Sequence, residues 1–174
     1  MADFEPAVTI TLRNEGGFYQ NPETGEIVNH GVTLKLVQSS GYKSDPDVDF
    51  IRSLSVAEAS QIYRTYFWDP HHMGPIGDQN LANKVFDLTV NIGPGDAKHP
   101  GALTLLQSAV NACGGACAVD GVAGPISIGQ INALDPTNLL TRYKQLAAQR
   151  HTEIATAKAE LASDLTGWLA RLNA

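Results

Sequence analysis

The chain opens on a mixed run of apolar and polar positions, "FEPAVTITLRNEGG" from Phe4 to Gly17. Pro6 suits a first helical turn and the two glycines supply a stop, so the run predicts a helix ending near Glu15. From "YQNPETGEIVNHGVT" to "SGYKSDPDVDF" the regular pattern gives way to Gly, Pro, Asn and Asp, which predicts loops or a small hairpin-like lobe. Helical spacing then returns. Ser55 and Glu58 form a capping-box pair ahead of a stripe made by Ala59, Ile62, Tyr63 and Tyr66. Asp78 to Ile92 repeats the spacing through Leu81, Val85, Leu88 and Ile92 and stops at "GPG", and "GALTLLQSAVNAC" reads as another short helix. Pro136 to Leu172 predicts one or two helices, with Gly167 as the expected interruption. The pattern therefore predicts a mainly α fold with one small irregular or β-hairpin lobe inserted after the first helix.

Composition narrows what such a fold can do. With 174 residues, 43% of them hydrophobic, the chain has the material for one cooperative core. A net charge of −6 gives no clustered Lys and Arg for gripping phosphates, so nucleic acid is not expected as a partner. No apolar stretch approaches membrane-spanning length and no basic, apolar leader precedes Asp3 and Glu5, so neither stable membrane insertion nor a conventional signal peptide is expected. Cys113 and Cys117 in "CGGAC" are too few for a disulfide framework, and His71 and His72 beside Asp69 lack the spacing of a metal-binding helix. No metal and no other cofactor is expected.

Glu15 is the residue with a chemical setting. A carboxylate in the last turn of a helix faces the partial negative charge of unpaired carbonyls, which disfavours its ionised form and suits a general acid. The glycines after it leave room for a bulky substrate, and the polar lobe supplies a second wall for a cleft.

The stretch "NEGGFYQNPETGEIVNHGVT" resembles the front motif of glycoside hydrolase family 108 N-acetylmuramidases, phage endolysins and secretion-associated muramidases. "YRTYFWDP", "VFDLTVNIGPGDAKHPGALTLLQ" and, near the end, "VDGVAGP" with "DLTGWLARLNA" are similar to later segments of the same family, so the likeness runs from about Phe4 onward. It implies a lysozyme-like helical domain: a catalytic region over residues 1–95, and a carboxyl-terminal helical region, 96–174, resembling a predicted peptidoglycan-binding segment and packed in the same domain. The implied reaction is cleavage of the β-1,4 bond between N-acetylmuramic acid and N-acetylglucosamine, with Glu15 as general acid.

The resemblance puts the loop-closing Thr at Thr33 and the acidic loop position near Glu23, with Glu26 as the competing acid. Val28 stands where a small hydroxyl residue is expected, and Glu26 interrupts an expected Gly pair. Carboxyls about 5 Å apart would imply retention of configuration, and a separation above about 6.5 Å inversion through a water. Tyr19 and Trp68 are candidates to stack on sugar rings, with Tyr63 the more core-like of the aromatics, and Asp87 and Asn91 are candidates to hydrogen-bond N-acetyl groups. The alternatives are a non-catalytic wall-binding or secretion-accessory protein and a lytic transglycosylase. Peptidoglycan is the expected partner of a monomer made in the cytoplasm and brought to the periplasm or cell wall through a holin or a secretion machinery.

Overall fold

The computed structural model of the protein describes residues 1–173. Helix α1, Phe4–Glu15, is followed by three short antiparallel strands in sequential order, β1 (Tyr19–Gln20), β2 (Ile27–Asn29) and β3 (Val32–Thr33). Tyr19 pairs with Val28, and Val28 in turn with Thr33. The β2–β3 connection is the two-residue turn His30–Gly31, with φ of 50° and 75°, the left-handed pair that matches the twist of a tight hairpin. The lobe expected from the sequence is thus a three-stranded sheet. It is completed by two short helices that the Gly- and Asp-rich composition concealed, α2 (Leu34–Ser40) and α3 (Val48–Ser53). Buried Asn29 fastens the sheet to α3: its amide donates to the carbonyls of Ile51 (3.0 Å), Arg52 (3.3 Å) and Leu54 (3.3 Å).

Helix α4, Val56–Tyr63, begins at the expected capping box: the Ser55 hydroxyl accepts from the Glu58 amide, and the Glu58 carboxylate accepts from the Ser55 amide. A wider π-turn, Arg64–Trp68, carries it onward. Then come α5 (Gln79–Ile92), α6 (Ala102–Ala112), α7 (Pro125–Ala133), α8 (Pro136–Ala157), a 3₁₀ turn over Ala159–Asp164, and α9 (Leu165–Asn173). The break in the carboxyl-terminal stretch falls at Lys158 rather than at Gly167. Gly167 lies inside α9, and that short helix is anchored by packing, with Leu172 in the core and Trp168 against His151.

Helix α5 is the spine, in contact with α1, α6 and α8. Phe4, Trp68 and Phe86 meet edge to face with centroids 5.5 to 5.8 Å apart, and Tyr63 joins them through Phe86. One continuous buried cluster runs from Ala2, just ahead of α1, to Leu172 in the last helix, so the segments before and after residue 95 share a core. The segment "VDGVAGP" is pinned from beneath by buried Gln107 on α6. The Gln107 side-chain oxygen accepts from the amides of Asp120 (3.0 Å) and Gly121 (2.8 Å), and its nitrogen donates to the Asp120 carboxylate (2.8 Å) and the Val122 carbonyl (3.2 Å). Gly121 also lies so close to the backbone of Gly95 that a Cβ on it would sit 2.9 Å from the Gly95 carbonyl carbon.

Candidate active site

Glu15 is the last residue of α1, and its side chain is 19% exposed. Beyond it the surface opens, because a side chain on Gly16 or Gly17 would meet no atom within 4 Å. On the lobe side the carboxyl packs against the β2–β3 turn. A Cβ on Gly31 would lie 2.7 Å from the Glu15 Cγ and 2.8 Å from its Oε2, so glycine is what lets the turn approach the acid. The buried Tyr63 hydroxyl closes the same corner by donating to the His30 carbonyl at 2.9 Å. Burial, with the Glu15 charge beside it, pushes the Tyr63 phenol above its ordinary range and keeps it a donor.

On its other side Glu15 meets a residue that sequence reasoning missed. Arg171, near the end of α9, donates from Nη2 to Glu15 Oε1 and to Asp87 Oδ1 (2.9 Å), and from Nε to Asp87 Oδ2 (3.0 Å). One guanidinium thus holds two carboxylates, engaging Asp87 with a two-pronged fork. Burial disfavours its charge, but the hydrogen bonds and charges of Asp87 and Glu15 outweigh that and hold Arg171 above its ordinary value. The pair is 156 residues apart in sequence, and no local pattern marks it. The only available signal was an arginine in a tail segment that already resembled the family.

Asp87, expected on the substrate side, lies inside. It is 3% exposed, and its Oδ1 also accepts from Thr11 (3.3 Å) and Asn14 (3.2 Å), both on α1. Its lone pairs are spent on the protein, joining α1, α5 and α9. Trp68 is likewise in the core, at 4% exposure between Phe4 and Phe86, with no ring face turned outward for a sugar. Tyr63, on the expected apolar stripe, is fully buried.

The remaining candidates lie on or near the lobe. Tyr19 is 55% exposed on β1, and beside it Phe18, 38% exposed, carries the Arg52 guanidinium over its ring at 5.0 Å. Glu23 and Glu26 flank the tip of the β1–β2 hairpin with both side chains exposed. Their backbone is set by short-range hydrogen bonds: the Asn21 side chain accepts from the amides of Glu23 (2.9 Å) and Thr24 (3.0 Å), and the Thr24 hydroxyl accepts from Glu26 (3.3 Å). Thr33 is half-buried and caps α2, its hydroxyl oxygen accepting from the Leu36 amide at 3.0 Å, which leaves its proton to donate elsewhere. Asn91 lies half-buried one turn after Asp87 on α5.

None of the curated proteins matches the chain by sequence. Among solved structures it is similar to SagA of Brucella abortus, with a TM-score of 0.77 and 19% identity over 98% of this chain and 89% of that one. The two share a lysozyme-like fold. Residues 8–93, the part of the chain that carries Glu15, the hairpin lobe and Asp87, match the family model described as Glycosyl hydrolase 108.

Proposed function

We propose that this protein is an N-acetylmuramidase that cleaves the β-1,4 bond between N-acetylmuramic acid and N-acetylglucosamine in peptidoglycan, with Glu15 as the general acid. The family supports a glycoside hydrolase acting on peptidoglycan. The observation that carries the finer reading is the setting of Glu15: a half-buried carboxyl at a helix end, braced by the Gly31 turn and by Arg171, and facing open space over Gly16 and Gly17. A polymer can lie across such a surface, as it could not in a closed pocket. In the proposed reaction the Glu15 proton passes to the leaving glycosidic oxygen as the bond to the anomeric carbon breaks.

The positive charge that develops at that carbon needs a second group. Glu23 is assigned the role, with Glu26 and a water held by the Thr33 hydroxyl as the competing assignments. The exposed faces of Tyr19 and Phe18 offer stacking platforms for sugar rings, and the Asn91 amide a partner for an N-acetyl group. In this reading the protein works as a monomer on the wall, which it reaches through a holin or a secretion machinery.

The test is hydrolysis of purified peptidoglycan, with the released muropeptides identified by mass spectrometry. The wild type should yield reducing-end products of muramidase cleavage; anhydro products would instead identify a transglycosylase, and no products a binding protein. Glu15→Gln keeps shape and most contacts but has no proton to give, so its rate should fall by about 10²- to 10⁴-fold with an unchanged circular dichroism spectrum. Full activity of that variant would refute the assignment.

A further inference from the structure

We propose that Arg171 is a positioning residue for Glu15, so that the last helix of the chain completes a site whose other members all lie between Glu15 and Asn91. The inference rests on the reading of Glu15 as the acid. It adds a residue outside the family-matched segment, which ends at 93.

A glutamate at the free end of a helix has three rotatable side-chain bonds, and open solvent beyond Gly16 gives it nowhere to lean. Two neighbours limit it: the Gly31 turn on one side and the Arg171 guanidinium on the other. The turn only excludes volume, whereas the guanidinium sets a direction, because its plane is itself fixed. Nε and Nη2 both engage the Asp87 carboxylate, and that carboxylate is held in turn by Thr11 and Asn14 from the same helix that ends in Glu15.

The backbone beneath the guanidinium is held as firmly. Buried Lys84 on α5 donates to the Arg171 carbonyl at 2.7 Å, Leu172 enters the core, and Trp168 lies against His151 with ring centroids 5.1 Å apart. Arg171 is thereby tied at main chain and side chain to the helix that carries Asp87, and reaches Glu15 from that fixed platform.

The experiment compares Arg171→Lys, Arg171→Gln and the double variant Arg171→Gln with Asp87→Asn, by turnover of purified peptidoglycan, sedimentation with insoluble peptidoglycan and circular dichroism. Arg171→Gln should bind the wall as the wild type does while turnover falls by roughly 10- to 100-fold, the cost of a misplaced catalytic group. Arg171→Lys should recover part of that loss, and millimolar guanidinium ion should raise the turnover of Arg171→Gln but not of Glu15→Gln. If Arg171→Gln does not fold, the double variant removes the stranded Asp87 charge together with its partner, and the same loss of turnover is expected in it. A folded Arg171 variant, single or double, that turns over within twofold of the wild type would overturn the proposal. Loss of turnover that neither lysine nor guanidinium relieves would overturn it as well, in favour of a structural part for the helix. An active Glu15→Gln protein would instead overturn the assignment of the acid itself, and the two failures are thus distinct.

Discussion

Replacing Gly31 by Ala places one methyl group between the turn and the acid. The backbone contribution comes first: Gly31 has φ of 75°, a conformation that costs a residue with a Cβ about 1–2 kcal/mol. The steric contribution comes second. The new Cβ would lie 2.7 Å from the Glu15 Cγ and 2.8 Å from its Oε2, with the Tyr63 hydroxyl also in the way, and such overpacking costs roughly another 1–3 kcal/mol. Gly41 separates the two contributions, because it has φ of 69° but nothing within 4 Å of the same position. Gly41→Ala should therefore lose only about 1–2 kcal/mol and no activity, whereas Gly31→Ala should lose about 2–5 kcal/mol, since the overpacking adds to the backbone cost. Either loss should leave a folded protein if its stability lies in the upper part of the usual range. Because Tyr63 is locked by its bond to His30, the Glu15 side chain is the part that yields, and a displacement near 1 Å should cost turnover up to about 10²-fold. Urea denaturation measures the first quantity and muropeptide release the second. If the two alanine variants are equal in both, Gly31 does not brace Glu15 and the account of the site is wrong.

Four further outcomes are expected. Glu15→Gln should be folded and slower by about 10²- to 10⁴-fold, as measured by muropeptide release. Glu23→Gln should lose more activity than Glu26→Gln; if both stay near wild type, Thr33→Ala should be the damaging change, and three active variants would remove the lobe from the mechanism. Asn29→Ala leaves three carbonyls of the α3 region without their donor, so urea denaturation should show a loss of about 1–3 kcal/mol; an unmoved midpoint would mean that the amide does not hold the lobe. Burial, then the nearby Arg171 and Arg150 charges, push the His151 imidazole below its usual range, so the unfolded chain binds the proton more readily. Its stabilisation should be present above about pH 6.5 and fade as pH falls through the lowered folded-state value, and His151→Phe should reduce that acid-side slope. Some slope should remain, because burial lowers His71 in the same sense.

The elements that sequence made legible are those with local causes. Ser55 and Glu58 lie three residues apart, and their reciprocal bonds form as their spacing dictates. The stop after Glu15 and the stripe from Leu81 to Ile92 are likewise properties of a few neighbouring residues. The caps that open α2 at Thr33 and α3 at Asp47, and Pro125 in the first turn of α7, lie among Gly, Pro and Asp residues that read as loop, whereas the π-turn at Arg64–Trp68 has no comparable local mark and owes its form to packing. Gly167 misled for the same reason, its propensity cost being offset by the docking of α9. Within the site, Glu15 announced itself by position and resemblance. Asp87 and Trp68 did not reveal that they face inward, since a polar residue on a helix and an aromatic at its end read alike whether their partner is a sugar or another helix. Arg171 was illegible because its meaning lies wholly in a contact between the two ends of the chain.

The knot beneath "VDGVAGP" bears on how such a segment is compared between proteins. Its aspartate, though exposed, and its first glycine are held by Gln107 and against the backbone of Gly95, while Val122 and Ile126 stand outside at 61% and 76% exposure. The letters that make the segment recognisable thus record a folding requirement, and two chains can share them while meeting different surfaces. Any preference for one wall over another would be written in the neighbouring outward positions, where sequences are free to diverge without disturbing the turn.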